Sequence, residues 1–255
     1  MKPALMLHGF THTGASWGAV AAALGERYRA LAPDLRGHGA SSAVQPVTLE
    51  ELIGDLDALT STTGDLDALT STTGLTGGDP LILAGYSMGA RIALHAALAL
   101  GDRVRRLVLV GGSPGIDDPC ERAARREADE RLADELERLS IEDLARRWAA
   151  TPVLGGQPPA VAAAAHADRL RSTPEGLARA LRGLGTGALP SLWGRLDELE
   201  MAVVLVVGER DRKFRSTAER MADEMADAEL VVVPGAGHAV HLEAPDRVAG
   251  VIAGG

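Results

Sequence analysis

Three residues have the types and chain order of a nucleophilic triad: Ser87, Asp211 and His238. Ser87 lies in Gly85-Tyr-Ser-Met-Gly89, between a short apolar run at 81–84 and an alanine- and leucine-rich segment ending near Leu100. G-x-S-x-G between a strand and a helix is a nucleophile elbow. Its glycines allow a tight turn that exposes the hydroxyl, and the helix offers free N–H groups beside developing negative charge. His238, in Gly235-Ala-Gly-His238, would take the Ser87 proton. Asp211, in Gly208-Glu-Arg-Asp211, would hold the imidazole tautomer and stabilise its cation. His241 competes as the base, and Glu209 or Asp197 as the acid. His238-x-x-His241 could also be a metal pair, but no further ligand has suitable spacing, so no metal is expected.

Two further features belong to the same chemistry. His8-Gly9-Phe10-Thr11 follows an apolar run and has the form of an oxyanion loop, so the backbone N–H groups of Phe10 and Met88 could converge on one oxygen. Arg91 lies one turn after Ser87, at the start of a helix apolar enough to be buried. A buried guanidinium needs a carboxylate: either a structural Asp or Glu, or an anionic substrate. His38, between glycines, reads as a turn residue, and His95 and His166 as solvated or satisfied residues on helices.

The elements that must position these residues alternate. Strands are expected at 4–8, 28–33, from 81, 105–110, 201–207 and 230–234, and helices at 16–27, 48–59, 88–100, 216–225 and after His238. Alternation implies a mostly parallel sheet covered on both faces, with the site at the carboxyl ends of its strands. The order Ser…Asp…His is that of the α/β-hydrolase fold. From about 117 to 184 the chain is helical, highly charged and without strand candidates. One apolar stripe there runs Ala124, Ala128, Leu132, Leu136 and Leu139. Such a block reads as an inserted lid at 113–189, with the core at 1–112 and 190–255. The decapeptide at 55–64 is repeated without change at 65–74. One copy suffices to reach the next strand, so the second is expected to be an extruded surface loop without chemistry.

Composition limits the partners. A net charge of −9 with no basic stripe argues against nucleic acid. Cys120 is the only cysteine, so no disulfide framework is expected. Neither a signal peptide nor an apolar run of membrane-spanning length is visible, which points to a soluble cytoplasmic protein, a monomer or small homo-oligomer. Lys2 and Lys213 are the only lysines among 26 basic residues.

Gly85-Tyr-Ser-Met-Gly-Ala-Arg91 resembles the elbow of the MenH enzymes of menaquinone biosynthesis, members of the α/β-hydrolase superfamily. The likeness extends to Glu121-Arg-Ala-Ala-Arg-Arg126, Trp148, Thr151-Pro-Val153, the stretch 174–187, Pro190-Ser-Leu-Trp193, Gly208–Phe214 and Gly235–His241. It implies a cofactor-free lyase that removes the proton beside a succinyl ketone of a multiply anionic cyclohexene and expels pyruvate. Ser87 would be the base, Arg91, Arg125 and Arg169 would bind carboxylates, and Tyr86 and Trp148 would line the pocket. Arg126 and Arg171 are the alternatives for the second and third arginines. Ala90 stands where many relatives have a second glycine. The residues also allow a serine hydrolase acting on small esters or carbon–carbon bonds, or a non-catalytic receptor on the same scaffold.

Overall fold

The computed structural model describes residues 1–60 and 80–254. Its sheet has six strands: β1 (Lys2–Leu7), β2 (Tyr28–Leu31), β3 (Leu81–Tyr86), β4 (Val104–Val110), β5 (Ala202–Gly208) and β6 (Ala228–Val233). Their order is β2-β1-β3-β4-β5-β6, and every pairing is parallel. Alternate side chains of one strand point to opposite faces, so each central strand feeds two cores. Leu81 and Leu83 of β3 pack with Ile92 and Leu94 on one face, whereas Ile82 and Ala84 pack with Trp17, Val20 and Ile252 on the other.

The helices that cover the sheet are α1 (Gly18–Leu24), α2 (Leu49–Thr60), α3 (Met88–Leu100), α8 (Arg212–Glu224), α9 (Val240–Glu243) and α10 (Pro245–Ala253). Between β4 and β5 come α4 (Pro119–Leu136), α5 (Ile141–Ala149), α6 (Pro159–Arg169) and α7 (Pro174–Leu184), with no strand among them. This block has its own small core of Ala133, Leu136, Leu144, Leu177 and Leu181. Side-chain caps start three of its helices: Asp118 on Glu121 N, Ser140 on Asp143 N and Thr173 on Gly176 N.

The structure corrects several expectations. The segment 16–27 is a short α-helix between 3₁₀ turns, closed at Gly25 with φ 66°. The second strand ends at Leu31. The helix after β5 begins at Arg212 rather than 216, because the Asp211 carboxylate caps it by accepting from Phe214 N at 3.3 Å. The buried stripe of α4 runs Asp129, Ala133 and Leu136, with Ala124 and Ala128 exposed. Asp129 can be buried because it accepts from Arg125 Nε at 2.7 Å and from Gly187 N at 3.3 Å. A Cβ on Gly112 would meet the Ala90 methyl at 2.7 Å, so the glycine opposite makes room for the alanine at the elbow. The repeated decapeptide begins inside α2, and its second copy lies outside the described residues. No helix among the described residues is long and apolar enough to cross a membrane.

Candidate active site

β3 ends at Tyr86 and α3 begins at Met88, so Ser87 is the whole turn between them. Its backbone sits at φ 51°, ψ −107°, and its N–H donates to Val110 O at 2.9 Å. Only glycines fit around this turn. A Cβ on Gly85 would come within 2.4 Å of Gly89 O, and one on Gly89 within 2.2 Å of Leu7 O.

His238 Nε2 is 3.0 Å from Ser87 Oγ, and Nδ1 is 2.6 Å from Asp211 Oδ2. With the carboxylate as acceptor, Nδ1 carries the proton and Nε2 accepts from the serine hydroxyl. Asp211 thus spends one oxygen on the α8 cap and the other on the imidazole. The Phe214 ring covers His238 with centroids 4.4 Å apart. The competitors lie elsewhere. His241 is fully buried against Tyr86, with neither ring nitrogen bonded among the described residues, and burial holds its pKa far below the usual value. Glu209 accepts from Gly235 N, and Asp197 is exposed.

Ser87 and His238 open onto a cavity of about 410 Å³. Phe10, Met88, Arg91, Arg125 and Trp148 are on its wall, so five of the residues singled out from sequence meet there. The amides of Phe10 and Met88 have no hydrogen-bond acceptor among the described residues, which leaves both free for an oxyanion. Trp148 reaches the site by packing edge-on to Phe10, with centroids 4.8 Å apart. Arg125, half-exposed, lines the cavity while its Nε holds Asp129; Arg126, exposed, does not line it.

Arg91 is 8% exposed, and among the described residues its side chain makes no ion pair and Nε has no partner. Burial, then the Arg125 charge, lowers its pKa to about 10, opposed by Asp129. Its guanidinium remains a cation at neutral pH. His95, one turn further along α3, is neither solvated nor satisfied: it is 7% exposed, Nε2 has no partner among the described residues, and burial and Arg91 lower its pKa to about 4. His38 is fully buried, edge-on to His8 and Phe10, with its pKa lowered by burial to about 3.

Two of the residues assigned to the substrate are not on the cavity wall. Tyr86 is 3% exposed, and its ring lies under the oxyanion loop, where a Cβ on Gly9 would meet it at 2.6 Å. Arg169 is 1% exposed and donates Nε to Thr11 Oγ1 at 3.3 Å. Arg171, the alternative, is exposed and also off the wall. Sequence reading missed Lys213, Phe214, Trp193 and Thr186, which do line the cavity. A signal for some of them existed. The chain has two phenylalanines and three tryptophans, and both phenylalanines and two of the tryptophans are here.

An all-parallel sheet with a serine elbow after β3, an acid after β5 and a histidine after β6 is the arrangement of the α/β-hydrolase fold. The chain belongs to the alpha/beta hydrolase family, whose model matches residues 4–251. A Bacillus subtilis (strain 168) protein, named provisionally as a 2-succinyl-6-hydroxy-2,4-cyclohexadiene-1-carboxylate synthase, is 34% identical over 94% of this chain and 84% of its own. The structure of MenH from S. aureus superposes with a TM-score of 0.87 at 28% identity, covering 99% of this chain and 92% of that one. A thermophilic esterase from Thermogutta terrifontis, malate-bound, superposes with a TM-score of 0.83, also at 28% identity, over 100% and 89%.

Proposed function

We propose that the protein is a MenH-type lyase that expels pyruvate from 2-succinyl-5-enolpyruvyl-6-hydroxy-3-cyclohexene-1-carboxylate, leaving 2-succinyl-6-hydroxy-2,4-cyclohexadiene-1-carboxylate. The observation that carries this reading is Arg91: a buried cation on the cavity wall, one turn from Ser87, with no carboxylate paired to it among the described residues. A guanidinium kept unpaired inside a protein of charge −9 costs stability unless a ligand completes it. A carboxylate is its natural bidentate partner.

The reaction follows from the geometry. His238 draws the Ser87 proton, and Ser87 Oγ takes the proton at ring C2, beside the succinyl ketone. The ketone oxygen gains charge and accepts from the Phe10 and Met88 amides. The C2 electrons form C2=C3, the C3=C4 pair moves to C4=C5, and the C5–O bond breaks. The enolate of pyruvate leaves and regains a proton, and His238 returns to its neutral state. No cofactor takes part. Arg91 and Arg125 hold carboxylates, with Trp148 over the ring. Residues 113–189 act as the lid, supported by Arg125, Trp148 and Leu181 of that block on the cavity wall. The reading implies a small anionic substrate and a cytoplasmic setting.

Pyruvate release from freshly prepared substrate, beside hydrolysis of a p-nitrophenyl ester, tests this. Fast pyruvate release with little ester cleavage is expected; the reverse would make the protein an ester hydrolase. Arg91→Ala should lower kcat/KM for pyruvate release by roughly 30- to 1,000-fold, the loss of a charge-assisted pair. It should leave ester cleavage within about threefold.

A further inference from the structure

Asp168 and Arg169 are neighbours at the end of α6, far in sequence from the oxyanion loop, yet both bind it. Asp168 is 7% exposed and accepts three hydrogen bonds from the loop: Thr13 N at 3.0 Å, Thr13 Oγ1 at 2.5 Å and His12 Nδ1 at 3.0 Å. Burial pushes the Asp168 carboxyl up, but the bonds from His12 and Thr13 more than offset this and hold it below its usual value. It is therefore an anion accepting at both oxygens. Arg169 donates Nε to Thr11 Oγ1, and its Nη2 has no partner among the described residues.

The loop needs such a hold. Thr11 is fully buried with φ 67°, left-handed backbone that a β-branched residue adopts only under constraint. It directly follows Phe10, whose amide is left free toward the cavity. Tyr86 supports the loop from below, through Gly9.

We propose that Asp168 and Arg169 are positioning residues for the oxyanion site, keeping the strained loop in the one conformation that aims the Phe10 N–H at the reacting oxygen. This rests on the oxyanion role given to Phe10 above, and it takes Arg169 off the substrate. The oxyanion loop belongs to the core and α6 to the helical block, so the block helps to assemble the site as well as cover it. Donor placement matters steeply: a displacement of about 1 Å can cost on the order of a hundredfold in rate.

The test uses variants at residues off the cavity wall and a reaction that needs the oxyanion site but no carboxylate. A neutral fluorophosphonate phosphonylates an activated serine: the Ser87 Oγ–P bond forms, P–F breaks, and fluoride leaves with the serine proton. Its second-order rate is measured for Asp168→Asn, Thr13→Val and Arg169→Met, together with thermal melting and kcat and KM for pyruvate release. Each folded variant should label about tenfold or more slowly than wild type, with kcat falling in parallel and KM within about twofold. Thr13→Ser, which restores the hydroxyl, should recover the rate. Folded variants that label at the wild-type rate would overturn the proposal. Unchanged labelling by Arg169→Met with a raised KM would return Arg169 to the substrate. If Asp168→Asn does not fold, Thr13→Val decides, since it removes one hydroxyl only. Wild-type protein that labels but releases no pyruvate would sink the lyase reading and leave the labelling comparison intact.

Discussion

Ser87 and Thr11 both hold positive φ angles, 51° and 67°, without being glycines. Such backbone costs of order 1–3 kcal/mol per residue and persists only where the surroundings over-determine it. At Ser87 the constraint is backbone against backbone. Gly89→Ala would drive its Cβ toward Leu7 O at 2.2 Å and His8 O at 2.6 Å, and Leu7 is held as the last residue of β1. It should lose about 3 kcal/mol or more in urea unfolding. The contrast is Gly54, exposed inside α2, where a Cβ meets nothing within 4 Å. Gly54→Ala should instead gain about 0.5–1 kcal/mol, because alanine loses less chain entropy than glycine in a helix.

At the scale of elements, the helical block is tied together by charge. Arg182 of α7 reaches Glu130 and Asp134 of α4 and Glu137 just after it, with Nε 2.7 Å from Glu130 Oε1. These carboxylates are largely solvated, so each pair contributes about 1 kcal/mol at most. Arg182→Met should lower thermal stability by a few degrees at low salt. The gap should shrink by half or more in 1 M NaCl, where the Debye length falls to about 3 Å. A gap that persists would mean that packing of the Arg182 stem, not charge, joins α4 to α7. Element boundaries also show where sequence patterns run out. The spacing of Leu49, Leu52, Leu56 and Leu59 predicts α2 closely. The start of α8 depends on the Asp211 cap, a hydrogen bond that periodicity does not carry.

The whole molecule buries five histidines outside the triad: His8, His12, His38, His95 and His241. Burial is the first cause of every lowered pKa, to about 4 for His8 and His95. The unfolded chain takes up these protons near pH 6.5 while the folded chain refuses them, so stability falls as pH drops from 6.5 toward 4 and is level above 7. His8 alone accounts for about 3 kcal/mol across that window, a large share of an ordinary domain's stability. Melting temperatures should be flat from pH 7 to 8.5 and drop steeply below 6.5, and His95→Leu should flatten part of the slope. A second global property is the charge of −9. Anion capture by Arg91 and Arg125 against that background should make KM rise with ionic strength while kcat holds. A flat salt response would count against electrostatic capture.

The sequence by itself determined the alternation of strands and helices, the elbow, the triad order and the insertion between β4 and β5. Each of these is written in local pattern: apolar period, glycine at a turn, a polar residue just after a strand. Only the tertiary structure decided which charged residues meet. Arg91 and Arg169 read alike as arginines on helices. Yet one faces the cavity without an ion-pair partner among the described residues, and the other is turned toward Thr11, 158 residues away. Burial of His95, the inward turn of Asp129, and Lys213 on the cavity wall were equally out of reach. A side chain's partner is set by how helices cross and which loops they cover, and those contacts join residues that share no local pattern.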